Sequence, residues 1–155
     1  MIKPHEITIG SLLRTNKGEI IKVESISTKR QNRKVGYHDS VCRLKYIRLA
    51  NCEGIPLTEE ILKANGFEET NTGFMVEFFQ RPSYVMKLNE SYYYGIEVVG
   101  GYCNIRAKNE EYKNLPFEAD IQCNYVHELQ TVLRLCGLNE LADNFKVEAS
   151  KIEKT

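Results

Sequence analysis

Lys29, Arg30, Arg33 and Lys34 place four positive charges within six residues, and Arg43, Lys45 and Arg48 add three more shortly afterwards. Cationic side chains at this density are how proteins meet phosphates, and Tyr37 and His38, lying between the two groups, can stack on a base. The same pattern suits a solvated hairpin tip or a contact with an acidic part of the chain. A duplex reader needs a recognition helix with base-contacting side chains, and neither helix identified below has that character. Single-stranded or structured RNA is therefore the expected nucleic-acid partner.

A second group is aromatic. Tyr92-Tyr93-Tyr94 lies near Phe78, Phe79, Tyr84 and Tyr102. Core filling accounts for one face of strands built from these residues. The remainder, Phe79, Tyr93 and Tyr102, are candidates for protein contact, because exposed aromatics mark partner surfaces.

Other reactive residue types lack the spacing that chemistry needs. The five cysteines, Cys42, Cys52, Cys103, Cys123 and Cys136, contain no C-x-x-C pair, which argues against zinc and for buried free thiols. Adjacent acids occur at Glu59-Glu60, Glu68-Glu69 and Glu110-Glu111, but neighbours in sequence do not face one another on a helix or a strand. No phosphate loop, dinucleotide fingerprint, nucleophile elbow or H-E-x-x-H motif is present. His127, Gln130, Thr131 and Arg134 form a polar stripe that reads as a solvated helix face, with ligand binding as the alternative. No catalytic residue, cofactor or metal is expected, and the chain reads as a non-enzyme.

These residues must be positioned by an α+β arrangement of strands, helix, strands, helix. Residues 7–14, 19–26 and 41–49 read as strands, with a turn at Asn16-Lys17-Gly18 and a long polar connection over 27–40. In the return strand Cys42, Leu44 and Tyr46 alternate against Arg43, Lys45 and Ile47, putting Arg43 and Lys45 on one solvent face. Short bent strands of this kind predict an N-terminal SH3-like small β-barrel or half-barrel. A helix follows, capped by Thr58, charged at its start by Glu59 and Glu60, and stopped at Asn65-Gly66. Residues 67–107 then predict an antiparallel β-meander of about four strands. A second helix begins after Asn124, with Val126, Leu129, Val132, Leu133 and Cys136 on its apolar face and Gly137 at its end. The expectation is one compact domain over 1–155. Within it, 1–54 would form the basic barrel, 55–145 the helices and meander, and 146–155 a frayed tail.

The chain has 155 residues, 42% hydrophobic and 27% charged, an ordinary globular composition. Its zero net charge conceals a polarity. Residues 1–50 carry eleven basic and four acidic side chains, and 51–155 carry ten and seventeen, giving formal charges of +7 and −7. No apolar run approaches a membrane span and the start does not read as a signal peptide, so a cytoplasmic location is expected.

Three stretches carry a likeness: Ile9-Gly10 with Gly18-Glu19-Ile20-Ile21-Lys22-Val23, Ile55-Pro56-Leu57-Thr58-Glu59-Glu60-Ile61-Leu62 with Gly66-Phe67, and Tyr125-Val126-His127-Glu128-Leu129-Gln130. Together they resemble a family of small uncharacterised proteins of Bacteroides-type bacteria and their phages or prophages. The basic stretch 27–40 lies outside the likeness, and Glu128 stands where the pattern has Gln. The resemblance implies a phage or mobile-element accessory protein that binds a host protein or ribonucleoprotein, inhibition of a defence nuclease being one form. It carries no catalytic or binding residue with it. The alternatives are an RNA or single-stranded nucleic-acid module using the basic hairpin 27–48, and a small enzyme with an unrecognised site.

Overall fold

A computed structural model describes residues 2, 6–27, 33–71, 80–87, 93–108 and 121–147, except for the side chains of 93, 94 and 105–108. It has the expected α+β character: among the described residues there are eleven strands in three antiparallel sheets, and helices α1 (Glu59–Ala64), α2 (Val126–Leu135) and α3 (Asn139–Asp143). The chain forms two compact units, one from residues 1–56 with 125–155 and one from 57–124. The second predicted helix thus joins the N-terminal strands and not the meander that precedes it.

In the first unit, β1 (Leu12–Thr15), β2 (Ile20–Lys22) and β6 (Cys52–Gly54) form a sheet in the order β2-β1-β6. The β1–β2 turn is the one expected, with Gly18 at φ +84° and its amide donating to the Thr15 carbonyl at 2.8 Å. A second sheet has β3 (Ser25–Ile26), β4 (Lys34–His38) and β5 (Leu44–Arg48) in the order β3-β4-β5. Among the described residues the two sheets are separate and do not close into a barrel. A single 3-10 turn, Leu49–Asn51, joins β5 to β6. Ile7, Leu13, Ile21, Val23, Val35, Tyr37 and Leu49 form one buried cluster that draws on both sheets, the burial that stabilises such short strands.

Helix α2 adds Val126, Leu129, Val132 and Leu133 to this unit's interior, as its periodicity predicts. Its start differs by one residue: Tyr125 is the N-cap, and its amide donates to Glu128 Oε2 at 3.0 Å. The expected solvated stripe is a larger departure. His127 is 1% and Gln130 0% exposed, while Thr131 and Arg134 are half-buried. Gln130 clamps three backbone groups, accepting from Leu12 N at 2.8 Å and donating to the Gly10 and Ala142 carbonyls at 3.1 and 2.7 Å. Arg134 reaches Thr8 Oγ1 at 3.0 Å and Asp143 at 2.8 Å. The turn at 8–11 and α3 therefore cover the side of α2 that the local pattern leaves to water.

In the second unit, α1 starts at Thr58, whose hydroxyl accepts from Ile61 N, and ends through Asn65 and Gly66 at φ +85°. Phe67 N returns to the Leu62 carbonyl at 3.1 Å, closing the helix with a left-handed glycine. The meander is a five-stranded antiparallel sheet, β11-β10-β9-β8-β7, from β7 (Glu68–Thr70), β8 (Ser83–Lys87), β9 (Tyr93–Val99), β10 (Tyr102–Lys108) and β11 (Ile121–Gln122). Tyr84, Val98 and Cys103 are cross-strand neighbours on one buried face. Ile61, Leu62 and Phe67 complete the unit's apolar interior. Of the stretch 67–107 predicted as the meander, residues 72–79 and 88–92 lie outside the described residues, as do 109–120 after it.

All five cysteines are free thiols. Cys103 and Cys123 are buried as expected, and burial pushes the half-buried Cys52 thiol up to about 11. Cys42 is exposed instead, at φ +58° in the turn between β4 and β5.

Candidate nucleic-acid interface

The basic hairpin contains a strand that the sequence reading assigns to a connection. Residues 34–38 form β4, pairing with β3 on one side and β5 on the other. Directly opposed residues in antiparallel strands share a face. Lys34 opposes Arg48, Gly36 opposes Tyr46, and His38 opposes Leu44, so these six make one face of the sheet, with Ser25 beside Gly36. Val35 opposes Ile47 and Tyr37 opposes Lys45 on the other face, where Val35 and Tyr37 enter the core.

This register reverses the expected alternation in β5. Ile47 turns inward and packs on the core, while Leu44 and Tyr46 turn outward with exposures of 50% and 58%. The physical reason is Val35: once β4 buries it, the residue opposite, Ile47, must point the same way. Tyr37 is accordingly 8% exposed and does not offer its ring for stacking. Tyr46 does. Its ring lies over Gly36, where an added Cβ would come within 3.0 Å of Tyr46 Cε1. Glycine there lets the aromatic settle against the sheet while its outer side meets solvent.

Charge surrounds the ring. Lys34 and Arg48 are exposed and opposed at one end of the face, with Arg33 exposed next to Lys34. At the other end His38 is half-exposed, with Nδ1 4.0 Å from Glu24 Oε1. Arg43 is exposed in the β4–β5 turn. That turn is organised by Asp39, which accepts from Val41 N at 3.0 Å and Arg43 N at 2.9 Å and pairs with Lys45 Nζ at 2.8 Å. The Lys45 ammonium, followed by the Arg43 amide, holds the Asp39 carboxyl below its ordinary value, and Asp39 raises Lys45 in return. Lys45 is thus tied to the turn through Asp39, while its side chain, like that of Arg43, is exposed.

Of the residues singled out from sequence, Arg33, Lys34, Arg43 and Arg48 are exposed on or beside this face. Tyr37 is buried in the core, and Lys45 is exposed but paired with Asp39. Lys29, Arg30 and Phe79 lie outside the described residues, as does the side chain of Tyr93, whose backbone is in β9. Tyr102 is 38% exposed at the start of β10 in the other unit. Tyr46 and Leu44 were the residues sequence reasoning missed. The signal was Val35-Gly36-Tyr37, whose alternation with Lys34 and His38 marks a strand with its apolar side inward.

Among the described residues no helix is long and apolar enough to cross a membrane. No family model, no curated protein and no solved structure matches the chain.

Proposed function

We propose that the outer face of the β3-β4-β5 sheet binds single-stranded nucleic acid, RNA foremost, without catalysis. The observation that carries this is Tyr46: an exposed aromatic ring seated on Gly36 with Lys34 and Arg48 at one end and His38 at the other. A ring held this way offers a stacking surface to a base, and the cations beside it suit the flanking phosphates. Successive outward positions on β5 are about 7 Å apart, so Tyr46 and Arg48 can meet a base and a neighbouring phosphate together. We further read the two N-terminal sheets as an SH3-like half-barrel. The paired orders β2-β1-β6 and β3-β4-β5, with a 3-10 turn before β6, support that reading. Such folds host unrelated ligands, so the function rests on the face itself.

The test is fluorescence anisotropy of a labelled single-stranded RNA against the full chain. Tyr46→Ala is expected to cost about 1–3 kcal/mol of binding. Binding should weaken with salt at a log–log slope of about −2, as about three phosphate contacts imply, and Arg48→Glu should flatten that slope. Unchanged affinity in both variants would end the proposal.

Val41 and Leu44, 63% and 50% exposed at the same hairpin, favour a second reading. In it this face meets a host protein or ribonucleoprotein, the contact of an accessory protein. A partner retained by the tagged chain after nuclease treatment, and lost in a Leu44→Glu variant, would favour protein over nucleic acid.

A further inference from the structure

His127 presents a different chemistry in the same unit. It lies at the second position of α2, 1% exposed, and both ring nitrogens are buried without a hydrogen-bond partner. A buried imidazole in that condition forfeits the solvation of both nitrogens unless something engages it. Its ring stacks on Tyr125, with centroids 5.7 Å apart and planes inclined by 17°. Gly54 lies against both rings: a Cβ added there would come within 2.6 Å of Tyr125 Cγ and 3.0 Å of His127 Cε1. The side chain is thus fixed in place.

Two carboxylates converge on it. One ligating atom each from Glu6, His127 and Glu128 lie within 4.8 Å of one another. Both acids are half-buried, and Glu6 arrives from a segment far away in sequence. Ligands bound at about 2.0–2.2 Å around a tetrahedral ion are roughly 3.4 Å apart, so closure needs a contraction of at most about 1.4 Å.

We propose that Glu6, His127 and Glu128 form a binding site for a divalent first-row transition ion. The imidazole selects such metals over calcium or magnesium, and the absence of a thiolate from the set disfavours copper(I). Three protein ligands leave a further coordination position for water or an anionic group. Two carboxylates balance the charge of the ion. The site also sits at the first turn of α2, where the helix dipole opposes a cation, although Glu128 Oε2 already accepts from Tyr125 N. Affinity should therefore be modest, and the ion would tie the residue 6 segment to the start of α2. None of this depends on the nucleic-acid reading, because the outward residues of the β3-β4-β5 sheet take no part.

Titration of the reduced full chain with Co²⁺, followed by visible absorption and thermal melting, tests the site. The expected result is one ion per chain, d–d bands without a thiolate charge-transfer band, and a raised melting temperature. Glu6→Gln should weaken uptake by about tenfold or more, and Glu140→Gln, at an exposed position of α3, should leave it unchanged. His127→Gln should abolish uptake, with circular dichroism reporting whether that variant folds. Glu6→Gln keeps the test decisive if it does not. Absence of uptake, a thiolate band, or a Glu6→Gln variant that titrates like the wild type would overturn the proposal.

Discussion

Gln130 and Tyr46 each occupy the opposite environment from the one their neighbours in sequence suggest. Gln130 is buried because its amide satisfies Leu12 N, the Gly10 carbonyl and the Ala142 carbonyl, each from a different segment. Replacing it strands buried backbone groups and leaves a cavity. Gln130→Ala is expected to destabilise the chain by about 2–4 kcal/mol, read from chemical denaturation. Thr131→Ala, one residue along, loses only a hydroxyl that bonds within the helix to the His127 carbonyl at 2.9 Å, and should cost far less. Equal costs would show that the clamp is unimportant. Tyr46 is the reverse case, a large aromatic left in solvent where Gly36 gives it a seat. An apolar residue exposed in this way is more informative than an apolar residue buried.

At the scale of elements, the β4–β5 hairpin depends on its turn. The Asp39 carboxylate bonds two amides and the Lys45 ammonium. Its acidity is raised, so its contribution is present above its ordinary value of 3.8 and fades as pH falls through the lower folded value. Lys45 is shifted upward, so its contribution is present below 10.5 and fades as pH rises through the higher folded value. The turn should thus hold its form between those limits. A carboxyl NMR titration should place the Asp39 midpoint below 3.8 and find it displaced upward in Lys45→Met. An unmoved midpoint in that variant would remove Lys45 as the cause.

Elements whose signals are local were legible in the sequence. Thr58, Glu59, Glu60 and Asn65-Gly66 delimit α1, and the Asn16-Lys17-Gly18 turn falls where its glycine requires. The apolar stripe of α2 is equally plain. What local pattern does not carry is which side of a strand or helix meets a distant segment. Leu44 and Tyr46 look like an inward face until β4 is seen to bury Val35 and so orient Ile47. The polar stripe of α2 looks solvated until the turn at 8–11 and α3 cover it. The cationic residues of the candidate interface were readable because charge needs no register, whereas its aromatic centre was hidden because register decides it.

For the whole molecule, the division into units sharpens the charge polarity into a functional argument. Residues 1–56 with 125–155 hold fifteen basic and ten acidic side chains, and 57–124 hold six and eleven, giving formal charges of +5 and −5. A polyanion should therefore be attracted to the first unit and repelled by the second. The most direct measurement is an amide NMR titration of the full chain with single-stranded RNA. The expected shifts gather on Lys34–His38 and Leu44–Arg48, with the Tyr46 ring signals moving upfield as a base stacks, and the amides of β7–β11 remain still. An unperturbed spectrum, or shifts centred on 57–124, would contradict the assignment of nucleic-acid binding to the outer face of the β3-β4-β5 sheet.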